Sequence, residues 1–178
     1  MVEERYSEIA QKCYDLWKRK NAAYGNNMSK NFKKYGPVVY ALRLSDKLGR
    51  LKTMAENPKI NAGDESVLDT VVDSICYSIM CAGDIAADML NNMSNVANLA
   101  LTEAVFKDFV EHPEIVTHNN LLSEAGRGSE DVYEHMQQIL DVAYESNNMG
   151  SGCIMLASAM IQHYYTLTEV DQAVREGV

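Results

Sequence analysis

Glu65, Asp69 and Asp73 stand four residues apart in DESVLDTVVDSICY, a spacing that would stack three carboxylates on one face of a helix, with Tyr77 continuing the row. Like charges so placed destabilise an isolated helix by about 0.2–0.5 kcal/mol per pair, so the row calls for a cation. One candidate is magnesium, which prefers oxygen ligands and is often held by one or two carboxylates together with substrate phosphates. The other is the basic set Arg43, Lys47 and Arg50 in the preceding segment RLSDKLGRL, which would pair with the acids across a helical interface. Asp46 is spaced to brace Arg43 or Arg50 on the same helix and keep the guanidinium groups aimed. Arg and Lys held in this way also suit phosphate oxygens, with Arg supplying a bidentate contact.

A second concentration of chemistry lies in KRKNAAYGNN, residues 18–27, where Lys20, Asn21 and Tyr24 combine a base, an amide and an aromatic ring. Such a set stacks a nucleobase and binds its edge; it is equally the composition of a polar connection rich in Asn and Gly. The sequence contains no Ser-His-Asp arrangement, P-loop or dinucleotide glycine fingerprint. His112 and His118 fall in a helix-ending segment without a partnered acid or nucleophile, and His135 and His163 are expected to pack or cap. Cys13, Cys76, Cys81 and Cys153 lack CxxC spacing and sit mostly in apolar runs, so they are expected as reduced core thiols rather than zinc ligands.

These residues need a scaffold, and the periodicity predicts an all-α one. Apolar residues at helical spacing mark a first helix over residues 3–20, followed by a polar loop. Pro37 suits the first turn of a second helix carrying Leu42, Leu44, Leu48 and Leu51, which ends near Asn57 and Pro58. After a short loop, NPKINAGDES, the longest and most central helix is expected from Asp64 to about Asn92. Further helices are expected over 95–111, 129–146, 153–165 and 169–176, with a looser stretch to Gly128 and a turn over 147–152. No strand, repeat or low-complexity tract is apparent, and helical-bundle packing is the default. The apolar run GCIMLASAMI suits either a core or a subunit interface, and a homo-oligomer is expected.

The formal net charge of −9 and pI near 4.9 repel polyanions, which disfavours a nucleic-acid polymer as partner. A small phosphorylated ligand is compatible with that charge, because salt screens distant charges over about 10 Å and a local basic cluster then dominates. The charged N-terminus and the lack of some 18 consecutive apolar residues predict neither secretion nor membrane insertion, hence a cytoplasmic protein.

KNAAYG, the step from Phe32 to Gly36, RLSDKLGRL and DESVLDTVVDSICY, in this order over residues 15–85, resemble the nucleotide modification associated domain 1 family of phages and bacteria. That family is similar in helical organisation to the all-α nucleoside triphosphate pyrophosphatases, the MazG-like group. The resemblance implies a helical core over residues 1–93, with residues 94–178 as a C-terminal helical extension packed on it. It also implies a small-molecule nucleotide as ligand and Glu65, Asp69 and Asp73 as catalytic magnesium ligands, beside which the residue types themselves offer substrate contacts from Lys20, Asn21, Tyr24, Arg43, Lys47, Arg50 and Tyr77. The pyrophosphatases carry further glutamates on the first helix of their acidic motif, where this chain offers only Asp46 in a basic setting. Two expectations follow. One is a magnesium-dependent nucleotide pyrophosphohydrolase; the other is a non-catalytic protein that sequesters a nucleotide signal of host anti-phage defence, in the host cytoplasm if phage-encoded.

Overall fold

In the computed structural model, residues 1–57, 65–90, 95–119 and 129–176 are described, and among them the chain is all helical. The helices are α1 (Val2–Tyr24), α2 (Asn27–Tyr35), α3 (Val38–Glu56), α4 (Val67–Met89), α5 (Asn95–Glu111), α6 (Glu114–His118), α7 (Ser129–Glu145) and α8 (Met149–Glu176).

Helix α4 is the axis of the bundle because it is apolar or small on most of its circumference. Val71, Val72, Ile75 and Ile79 are at most 3% exposed, and α1, α3, α5 and α8 all pack against it. It is long and apolar enough to cross a membrane, and its surface is largely covered by these neighbours. The hydroxyls buried on it are satisfied within the helix: Ser74 Oγ donates to the Thr70 carbonyl and Ser78 Oγ to the Ser74 carbonyl, each at 2.8 Å. Where α5 crosses, Gly83 lets the backbones meet, since a Cβ there would lie 2.6 Å from Thr102 Cα.

The other helices each present an apolar stripe to this axis. Helix α3 buries Tyr40, Leu44, Leu48 and Leu51, and α1 buries Cys13, Tyr14 and Trp17, whose indole stacks on Phe106 of α5 at 5.1 Å between centroids. The segment GCIMLASAMI is taken up mainly inside the chain: from Leu156 to Ile161 every residue of α8 is buried. One contiguous apolar cluster therefore draws on both α1–α4 and α5–α8. Between α7 and α8, the Tyr133 hydroxyl meets His163 Nε2 at 2.7 Å, and burial lowers the imidazole pKa to about 4.

Several expected boundaries move. Helix α1 continues through Tyr24, so the expected polar loop shrinks to a tight turn at Gly25 and Asn26, both left-handed at φ 62° and 57°. Glycine adopts that region freely, and asparagine tolerates it. Helix α2 occupies what was expected as loop. It escapes a periodicity search because Met28 and Phe32 are the only apolar residues that it turns inward, beside the buried Ser29. Helix α4 begins at Val67, not Asp64, because Ser66 and Asp69 form a reciprocal cap at its start. The expected turn over 147–152 contracts, and the two expected C-terminal helices are one. Gly152 lies inside α8 because a Cβ there would meet Ala143 Cβ of α7 at 2.2 Å. Most of the loop NPKINAGDES and the end of the stretch reaching Gly128 lie outside the described residues.

Candidate functional site

The three carboxylates do not line up. Glu65 precedes α4, and its side chain turns toward α3, where Oε1 accepts from Lys47 Nζ and Oε2 from Arg50 Nη1, both at 2.8 Å. Arg50 Nη2 also donates to the Glu65 carbonyl at 3.2 Å. Asp73, on α4, accepts from Lys47 at 3.0 Å through Oδ2 and from Lys20 of α1 at 2.7 Å through Oδ1. An alternating chain results, Arg50–Glu65–Lys47–Asp73–Lys20, which ties α1, α3 and α4 together. Lys47, Glu65 and Asp73 are only 19–29% exposed, so water screens these pairs less than it would on an open surface. Burial alone would lower the pKa of Lys47, but hydrogen bonds to Glu65 and Asp73 reverse the effect and leave it raised; the same balance, with Asp73, raises Lys20.

Asp69 stands apart from this chain. Its carboxylate accepts from the Ser66 hydroxyl at 2.7 Å and from the Ser66 amide at 3.2 Å, and those bonds lower its pKa. It is exposed, and its task is to hold the first turn of α4. Asp69→Ala is therefore expected to cost about 1 kcal/mol in a denaturant titration, the ordinary value of a cap, and to leave ligand affinity unchanged. A loss of affinity without loss of stability would return Asp69 to the site.

Beside Asp73 the same helices enclose a cleft of about 420 Å³, within the range of small-molecule sites. Lys20, Asn21 and Tyr24 line it from the end of α1, Arg43 from α3, and Asp73 and Tyr77 from α4. Six of the residues singled out by type and spacing thus converge on one space. Tyr24 is 73% exposed, an aromatic ring standing at the edge of the cleft beside the Gly25–Asn26 turn. Arg43 is exposed and, among the described residues, makes no ion pair, whereas Lys47 and Arg50 belong to the chain and do not line the cleft. The expected brace from Asp46 is absent from these ion pairs: Asp46 is exposed, and Arg50 reaches Glu65 instead.

Sequence reasoning missed Trp17, Met28, Cys76 and Met80, which complete the lining together with Asn27, the last residue of the polar stretch 18–27. Helical spacing could have found three of them, since Trp17 lies three residues before Lys20, Cys76 three after Asp73, and Met80 three after Tyr77. Met28 required knowledge of α2. Among the described residues, no group of three or more His, Cys, Asp or Glu side chains is placed to hold a metal ion.

Comparison of the chain with protein-family models, with curated proteins and with solved structures finds no match.

Proposed function

We propose that the chain is a nucleotide-binding protein that holds its ligand in the cleft between α1, α2, α3 and α4 without hydrolysing it. The observation that carries this reading is the pairing of Arg43, which makes no ion pair among the described residues, with aromatic walls in a single space of suitable size. A planar base gains from the rings of Tyr24 and Tyr77, Asn21 and Asn27 offer donors and acceptors to its edge, and the phosphate end is drawn to Arg43 and Lys20.

Binding without turnover is favoured because the carboxylates do not fit the magnesium cluster that phosphoanhydride hydrolysis uses. Glu65 and Asp73 have their oxygens on ammonium and guanidinium groups, and Asp69 is a helix cap. Such a protein suits sequestration, the role expected of a phage protein that captures a nucleotide signal. Calorimetry over a nucleotide panel, with and without EDTA, is expected to give binding that ignores the chelator, with the ligand recovered intact by chromatography. Release of phosphate or pyrophosphate dependent on magnesium would establish the hydrolase instead, and failure of every nucleotide to bind would end the nucleotide reading.

A further inference from the structure

We infer that the cleft takes its ligand base first and recognises the nucleoside end, leaving the phosphates at the rim, where neither their number nor a group attached beyond them is read. The inference rests on the nucleotide reading above and adds an orientation to it. Exposure orders the lining by depth. At the floor lie Trp17 and Cys76, 6% and 8% exposed, with the partly buried Met28 and Met80 beside them. At the rim stand Tyr24, Asn27 and Arg43, all exposed, and Lys20, half of whose side chain is open to water. Helix α1 spans this gradient by itself, from buried Trp17 through half-buried Asn21 to exposed Tyr24. The cleft is therefore apolar at depth and polar at its mouth, and a nucleotide is an amphiphile of the same order, with a planar ring at one end and a charged group at the other.

The floor suits a ring and disfavours a charge. Trp17 packs against both Tyr14 and Phe106, at 6.1 and 5.1 Å between centroids, so it cannot retreat when a ligand enters. The thioethers of Met28 and Met80 adapt their shape to an aromatic ring and gain from contact with it. A phosphate at this depth would exchange its water for two methionines, an indole and a thiol that already donates to the Cys13 carbonyl, a costly exchange for a charged group. Asp73 on the wall has both carboxylate oxygens on ammonium groups and offers a phosphate no donor. Asn21, four residues after Trp17, stands one helical turn above the floor, where its amide offers both a donor and an acceptor to the edge of a base.

The test uses the full chain and the fluorescence of Trp17, the one tryptophan of the sequence. It is titrated with nucleosides, their 5′-mono- and triphosphates, and ribose 5-phosphate. The nucleoside of the preferred base is expected to change the Trp17 emission as its nucleotides do, whereas ribose 5-phosphate leaves it unchanged. The mono- and triphosphate should agree in affinity to within about 10-fold. A triphosphate carrying a fluorophore on its terminal phosphate should bind as tightly as its parent, and one carrying the fluorophore on its base should not bind. Met80→Ala should weaken nucleoside and nucleotides by the same factor, about 10-fold, because it removes a contact of the floor alone. The fluorophore arms use the unaltered chain and so decide the matter even if Met80→Ala fails to fold. Ribose 5-phosphate that competes as well as the nucleotide, or a fluorophore tolerated on the base and rejected on the phosphate, overturns the inference while nucleotide binding itself stands. Absence of binding by nucleosides and nucleotides alike overturns both.

Discussion

Gly83→Ala is expected to destabilise the protein by about 3 kcal/mol, at the upper end of what overpacking costs. The new methyl would fall 2.4 Å from Thr102 Oγ1 and 2.6 Å from Thr102 Cα. A hydroxyl can rotate away, but a backbone carbon on a packed helix moves only with its helix. Thr102 is 3% exposed and its neighbours on α5, Phe106 and Phe109, are buried to within 1%, so opening this crossing disturbs the stack on Trp17 as well. For a chain of this length the loss corresponds to a fall of roughly 6–12 °C in Tm. Gly49→Ala is the matched control: nothing lies within 4 Å of its Cβ, it sits in the exposed middle of α3, and it should gain up to about 1 kcal/mol. If urea titration finds Gly83→Ala as stable as the parent, α4 and α5 do not cross at that point.

Acidification is expected to weaken the fold by about 3 kcal/mol between pH 6.5 and 4 through His163 alone. Burial holds this imidazole neutral until about pH 4, against an ordinary value of 6.5, while its Nε2 and the Tyr133 hydroxyl share a hydrogen bond. Between those values the unfolded chain binds a proton that the native chain refuses, so the contribution is whole above pH 6.5 and is lost as the pH falls toward 4. Asp84 acts in the opposite sense. Burial raises its pKa above 3.8, even with the Tyr40 hydroxyl donating to it at 2.5 Å, so its contribution grows in acid and offsets part of the loss near pH 4. Urea midpoints from pH 7.5 to 4.5 should fall steadily, and His163→Gln should flatten the profile. An NMR titration that puts the His163 imidazole at pH 6 or above would refute the assignment, whatever the variant does.

The helical class was legible because apolar spacing repeats strongly in α1, α3 and α4, and because Pro37 marks where a helix begins. Helix α2 was not, since nine mostly polar residues with one buried ring look like any surface connection; only contact with Tyr40 turns Phe32 into an anchor. At the site, residue type was a better guide than residue spacing. Lys20, Asn21, Tyr24, Arg43, Asp73 and Tyr77 were singled out for their chemistry and do share the cleft. The four-residue spacing of Glu65, Asp69 and Asp73 misled, because it presumes that one helix carries all three. The sequence held a contrary signal: Ser66 followed three residues later by an acid is a helix start, which places Glu65 outside and turns Asp69 into a cap. The choice between α3 and a metal as neutraliser lay beyond any reading of periodicity, because it depends on how closely α3 approaches the start of α4.

The four cysteines form two contacts on opposite sides of α4. Cys76 Sγ donates to the Cys13 carbonyl at 3.5 Å, and the Cys81 thiol lies against Cys153 of α8. All four are at most 8% exposed, and hydrogen bonding together with burial keeps the Cys76 and Cys81 thiols protonated well above their usual range. In the folded chain the Cys76 and Cys81 thiols are therefore poor targets for alkylating reagents, which attack the thiolate. Cys81 and Cys153 answer when α8 parts from the central helix, so that seam carries a built-in reporter of its own opening.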